Sequence, residues 1–189
     1  MPHLTFGGPK EYRGVVLLPP LPRPAFTLTD TAGQLYVFDQ ETRRQLTLLF
    51  FGYTNCPDVC PTTMSNIATS LKALPQADRE RVKVVFVTTD PKRDQPTVLR
   101  AWLDHFDSAF IGLTGDQANI NAIMASLRLP EPVQNEVTDQ GYTVSYVSSV
   151  IVFTADDISH IVYPEGTSVD DWRRDLKKLL DEGWHEPKG

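Results

Sequence analysis

An almost unbroken apolar run, Leu46 to Gly52, leads straight into Asn55-Cys-Pro-Asp-Val-Cys-Pro-Thr-Thr-Met, and this junction narrows the folds open to the chain. A strand apolar on both faces needs cover on both sides, the situation of a central strand in an α/β sheet. The stretch after it, Pro61 to Leu74, reads as a helix with proline in its first turn, where the missing N–H costs nothing. The junction also holds the chain's two cysteines, Cys56 and Cys60. Thiols there face the positive end of a helix dipole, which favours thiolate, the form that attacks disulfides and binds soft metals. On a helical turn their spacing puts both sulfurs on one face, with the alpha carbons in reach of a disulfide. The alternative is a buried pair that merely packs. Pro57, Asp58 and Pro61 speak against it, because they make the segment an irregular loop.

The remaining pattern extends this α/β reading. Phe26-Thr-Leu-Thr-Asp and Gln34-Leu-Tyr-Val-Phe alternate around Ala32-Gly33, the signature of a hairpin. Val82 to Thr89 is a second buried strand, followed by a turn at Asp90-Pro and a helix around Thr97 to Phe106. Phe110-Ile-Gly-Leu reads as a short strand before a helix from about Gln117 to Leu127. Pro130 to Gly141 is polar and irregular. Tyr142 to Phe153 and Ile158 to Tyr163 form a late hairpin across Ala155-Asp-Asp. The final helix, Ser168 to Leu180, carries Ser168 as its cap with Asp171 three residues on. Strands alternating with helices, closed by a hairpin, define a mixed central sheet flanked by helices on both faces. A reactive cysteine loop after the first central strand is the arrangement of thioredoxin-like folds. The organisation expected is a Pro-rich extended arm over 1–24, one thioredoxin-like domain over 25–183, and a short tail over 184–189.

With 189 residues and 41% hydrophobic content, the chain is long enough for one full core and short for two. A formal net charge of −6 argues against a nucleic-acid partner gripped through its phosphates. No stretch reaches the roughly 18–20 apolar residues of a membrane helix, so contact with a membrane would come through an N-terminal anchor outside this sequence.

Two segments, Phe51-Gly-Tyr-Thr-Asn-Cys-Pro-Asp-Val-Cys-Pro-Thr-Thr-Met and Val87-Thr-Thr-Asp-Pro-Lys-Arg-Asp-Gln-Pro, stand in an order and spacing that resemble the Sco/SenC family. These are copper-handling, thioredoxin-like proteins that help assemble cytochrome c oxidase. Phe110-Ile-Gly-Leu-Thr-Gly supports the resemblance, which runs from Phe26 to the last helix. It implies that Cys56 and Cys60 are copper ligands, joined in the family by a distal histidine. The family's Tyr-x-Val-Asp-His run reads Tyr142-Thr-Val-Ser-Tyr146 here, so Tyr146 stands where the histidine is expected and Ser145 replaces the aspartate before it. Tyr has a reference pKa of about 10 and is a poor substitute for imidazole. Two thiolates without an imidazole suit Cu(I) better than Cu(II).

Other side chains could fill the vacant role. His160, on the second strand of the late hairpin, is a candidate third ligand. His105 ends a helix, where a surface or capping role fits better; His3 and His185 lie near the termini. Met64 shares a helix face with Cys60 and reads as core. Asp58 either tunes the thiols, docks a partner or shapes the turn. Asp90 either serves a site at the end of a central strand or makes an Asx turn before Pro91. Lys92-Arg93-Asp94 reads as a solvated turn, and Tyr53 as an exposed aromatic able to meet a partner protein.

The resemblance therefore implies copper delivery to, or cysteine reduction in, the copper centre of a respiratory oxidase. The partner would be the oxidase's copper-bearing subunit or another redox or copper protein, met on the outer or periplasmic side of the cell envelope. A metallochaperone with thiol-disulfide reductase activity fits better than an enzyme in the strict sense. A copper-independent thiol-disulfide oxidoreductase or redox sensor is the alternative, and a binding module with a structural disulfide is a third reading.

Overall fold

A computed structural model describes residues 11–135, 144–145 and 149–188, the pair 144–145 by its backbone alone. Ten strands and six helices follow one another among the described residues. The strands are β1 (Val15–Pro22), β2 (Thr27–Asp30), β3 (Leu35–Val37), β4 (Leu46–Gly52), β5 (Val82–Thr88), β6 (Ile111–Thr114), β7 (Val133–Gln134), β8 (Val144–Ser145), β9 (Ser149–Phe153) and β10 (Ile158–Pro164). The helices are α1 (Phe38–Glu41), α2 (Val59–Lys72), α3 (Gln76–Arg79), α4 (Pro96–Leu103), α5 (Gln117–Ser126) and α6 (Val169–Glu182). Eight strands form one mixed sheet in the order β1-β10-β9-β4-β5-β6-β2-β3, and β7 pairs with β8 apart from it.

All seven residues of β4 are buried, as an apolar run with no polar face requires. It runs parallel to β5, from Leu46 opposite Val82 to Gly52 opposite Thr88, and antiparallel to β9 on its other side. Alternation sends Leu48 and Phe50 to one face and Leu49 and Phe51 to the other, and each face has its own core. On the first face lie Met64, Ile67 and Leu71 of α2, Leu99 and Leu103 of α4, and Trp172 and Leu176 of α6. Phe38 of α1 and Ile120, Ile123 and Met124 of α5 cover the second. Each fully buried aromatic or aliphatic side chain contributes about 1.5–3 kcal/mol relative to exposure. The helices on both faces and the two hairpins agree with the sequence-based reading.

Two features differ from it. The Pro-rich lead-in is seated on the sheet as edge strand β1, paired with β10. Its register breaks between Val16 and Leu21, so Pro19 and Pro20 lie in an irregular stretch where the absent N–H groups remove no ladder bond. Tyr12, ahead of β1, stacks on Trp184 beyond α6 with ring centroids 5.0 Å apart, which brings the two ends of the described chain together. Helix α2 begins two residues before Pro61, at Val59, because proline is tolerated throughout a first turn whose N–H groups have no intrahelical acceptor. Cys60 thereby becomes helical. Of the strand expected over Tyr142 to Phe153, the described part is β8 and β9; Tyr146 and His3 lie outside the described residues.

Candidate thiol and metal site

The cysteine loop leaves the carboxyl end of β4, the edge where open α/β sheets hold their sites. Cys56 lies in the loop at 8% exposure, and Cys60, the second residue of α2, is fully buried. Both are thiols in this structure. Asp58 occupies the N-cap position, yet its side chain makes no capping bond. The sulfur of Cys56 takes a capping part instead: the Cys60 backbone N–H donates to Cys56 Sγ at 3.3 Å. A sulfur is a weak acceptor when protonated, so a helix-terminal N–H aimed at it rewards the thiolate. The Cys56 N–H closes the preceding turn onto the Tyr53 carbonyl at 3.2 Å.

Cys60 Sγ rests on the last residue of β4. A Cβ built on Gly52 would lie 2.8 Å from that sulfur and 3.0 Å from Phe86 Cε2, so the strand ends in glycine where sulfur and backbone come close. Met64 is fully buried in the core beneath, as its helical spacing suggested.

The loop is tied down from the side by a residue that reads as solvated in sequence. Asp94 is fully buried, and its carboxylate accepts from the Thr54 N–H at 2.9 Å, the Thr54 hydroxyl at 2.5 Å and the Thr88 hydroxyl at 2.7 Å. Burial pushes its pKa up, and the hydrogen bonds from Thr54 and Thr88 pull against that. The expectation of a solvated Lys92-Arg93-Asp94 turn is therefore corrected at Asp94. A charge-bearing turn looks solvated until its donors, dozens of residues away, are known. Asp90 is buried too, and its carboxylate pairs with the Arg93 guanidinium. Tyr53 is corrected likewise: it is 2% exposed, with the Arg93 guanidinium carbon 6.0 Å from its ring centroid. Asp58 is exposed, beside Val59 in a shallow recess shared with Glu165 and Gly166.

The described histidines do not converge on the sulfurs. The register sets Ser159 and Ile161 of β10 opposite Phe153 and Val152, which face Thr47 and Leu48 at the start of β4. His160 is the extra residue between them, so it sits toward the end of the sheet remote from the cysteine loop. At about 3.3 Å per residue, the length of β4 separates the two by well over a coordination bond. Its Nε2 lies 2.7 Å from Asp156 Oδ2, and its ring stacks on Trp184 at 4.8 Å. The candidate third ligand His160 is thus not brought to Cys56 and Cys60. His105 bonds locally to the Trp102 carbonyl and His185 is exposed. Among the described residues, no group of three or more His, Cys, Asp or Glu side chains is placed to hold a metal. Two adjacent thiols remain, a donor set whose softness fits Cu(I). Among the described residues, no helix is long and apolar enough to cross a membrane.

A mixed sheet covered on both faces, with a cysteine pair where its central strand meets a helix, defines a thioredoxin-like protein with a dithiol at the end of that strand. A model of the SCO1/SenC family matches residues 19–181, and the chain belongs to that family. A protein of Stutzerimonas stutzeri that carries a copper-binding name is 36% identical over 171 residues, covering 88% of this chain and 81% of that one. Among solved structures, copper-bound ScoI of Bradyrhizobium japonicum is similar with a TM-score of 0.74 and 31% identity, over 84% of this chain and 98% of that one. Apo Sco1 of Thermus thermophilus is similar with a TM-score of 0.77 and 30% identity, over 92% and 99%.

Proposed function

We propose that this chain handles copper through Cys56 and Cys60, acting in the maturation of the copper centre of a respiratory oxidase. It carries Cu(I) as cargo on the two thiolates, or returns the cysteines of the target to their thiol form, in contact with the oxidase's copper-bearing subunit. It works on the outer face of the cell envelope. The observation that carries this reading is the Cys60 N–H directed at Cys56 Sγ where β4 meets α2. A helix terminus aimed at sulfur favours the form that both binds Cu(I) and attacks a disulfide.

Cu(I) accepts two- or three-coordinate thiolate sites, whereas Cu(II) asks for an added imidazole in a tetragonal arrangement. With Tyr146 at the family's histidine position, the unmodified protein should hold Cu(II) weakly. Restoring the imidazole with Tyr146→His should strengthen Cu(II) binding far more than Cu(I) binding, read by the thiolate-to-copper charge-transfer band during titration. Strong Cu(II) binding before the substitution, abolished by His160→Ala, would contradict this assignment. A copper-independent thiol-disulfide oxidoreductase becomes the better reading if neither oxidation state binds, before or after the change.

A further inference from the structure

The geometry points to Asp94 as the positioning residue of the dithiol: its buried carboxylate holds Thr54 so that Cys56 is aimed at the first amides of α2. This deepens the proposed function and rests on Cys56 and Cys60 being its reactive pair.

Three features carry it. The first is direction. All three groups on the Asp94 carboxylate are donors, and the Thr88 hydroxyl that gives its proton to Asp94 takes the Asp90 N–H at 2.9 Å. That chain of donors fits an ionised, acceptor-only carboxylate. The second is placement. Thr54 gives Asp94 both its backbone N–H and its hydroxyl, and it stands midway between Gly52, where β4 ends, and Cys56. The Gly52 carbonyl in turn accepts from the Thr89 N–H at 2.7 Å and from the Thr89 hydroxyl at 3.2 Å, so both sides of the loop's start are fixed to the end of β5. The third is what this hold maintains. From Thr54 the chain turns through the Cys56-to-Tyr53 bond and presents Cys56 Sγ to the Cys60 N–H. A full charge buried for turn shape alone is costly when a neutral side chain would serve. A carboxylate that accepts three donors at once holds a loop more rigidly than an amide, which has one acceptor oxygen.

In the thiol form Cys56 Sγ receives the Cys60 N–H. Loosening Thr54 therefore weakens that form and shifts the dithiol–disulfide equilibrium toward the disulfide, as expected when stabilisation of the reduced state is withdrawn. It also weakens Cu(I) binding; losing an outer partner of a metal site costs about 10–100-fold.

The experiment compares the native protein with Asp94→Asn, Thr54→Val and Thr54→Ser. Each is equilibrated with glutathione buffers to read the Cys56–Cys60 couple, titrated with Cu(I) against a chelator, and unfolded in urea. Positioning requires Asp94→Asn and Thr54→Val to shift the couple the same way, toward the disulfide, and to weaken Cu(I) binding by about tenfold or more. Thr54→Ser, which keeps the hydroxyl, should match the native protein. The proposal is overturned if the couple stays put while stability falls, because Asp94 would then only hold the fold. Opposite shifts in Asp94→Asn and Thr54→Val also overturn it, since the carboxylate would be acting by charge alone. If Asp94→Asn does not fold, the Thr54 pair decides. The glutathione measurement needs no copper, so loss of the copper reading leaves this test intact.

Discussion

Replacing Gly52 by alanine probes the contact between β4 and the helical cysteine. The added Cβ would stand 2.8 Å from Cys60 Sγ, 3.0 Å from Phe86 Cε2 and 3.1 Å from Phe50 Cε1, whereas ordinary contact begins at 3.4 Å. The sulfur would have to retreat by about 0.6 Å inside a close-packed core. Gly52 lies in a buried strand hydrogen-bonded along its length to β5, and Cys60 is fixed on α2, so neither neighbour yields freely. Two effects compete. Removing glycine from the unfolded chain stabilises by about 0.4–1 kcal/mol, while overpacking a core costs about 1–3 kcal/mol. The contact falls on three atoms at once, so the cost wins, with a net loss of about 1–2 kcal/mol. Urea unfolding under reducing conditions, followed by tryptophan fluorescence, measures it. A double-mutant cycle makes the test specific: Cys60→Ala should cost about 1 kcal/mol less in the Gly52→Ala background than in the native one, because removing the sulfur relieves the clash. A neutral or stabilising Gly52→Ala, or strictly additive substitutions, would refute the placement of Cys60 Sγ against the strand.

Three further outcomes are expected. Mild oxidation should close an intramolecular Cys56–Cys60 disulfide reversibly, with two thiols lost per monomer by thiol counting; mainly disulfide-linked dimers would show that the pair cannot meet. Arg23→Met should destabilise by about 3–5 kcal/mol. The native guanidinium, its side chain 3% exposed, binds Asp157, Thr42, Thr47 and the Gln45 and Thr154 carbonyls, and it sits at the start of β4, so the Cys56–Cys60 equilibrium should not move. Because burial raises the pKa of Asp94, the folded protein keeps its proton to higher pH than the unfolded chain does, so this group's contribution to stability falls as pH rises from the ordinary carboxylate value of about 3.9 through the raised one. Urea unfolding across that interval should show the native protein losing stability relative to Asp94→Asn as pH increases, and parallel curves would contradict the shift.

How much of this was legible in the sequence follows from which interactions are local. The burial of β4 is written in its lack of any polar face, and Ser168 capping α6 needs only the Asp171 N–H three residues on, found at 3.1 Å. The cysteine pair announced itself by composition and spacing. Asp94 could not, because a buried carboxylate looks like a solvated one until Thr54 and Thr88 are folded against it. Tyr53 failed for the same reason: its ring is covered by groups distant in sequence. The seating of β1 was hidden by prolines that normally argue against a strand, and only the irregular register opposite β10 lets them lie there. His160 is a ligand candidate by chain position alone, and the antiparallel return of β9 and β10 carries it away from the sulfurs.

The most direct test of the copper assignment is an anaerobic Cu(I) competition titration of the fully reduced protein beside its Cys56→Ser/Cys60→Ser form. The native protein should hold one Cu(I) per chain against a competing chelator, and the double variant none. Equal retention by both forms, or none by either, would contradict the assignment.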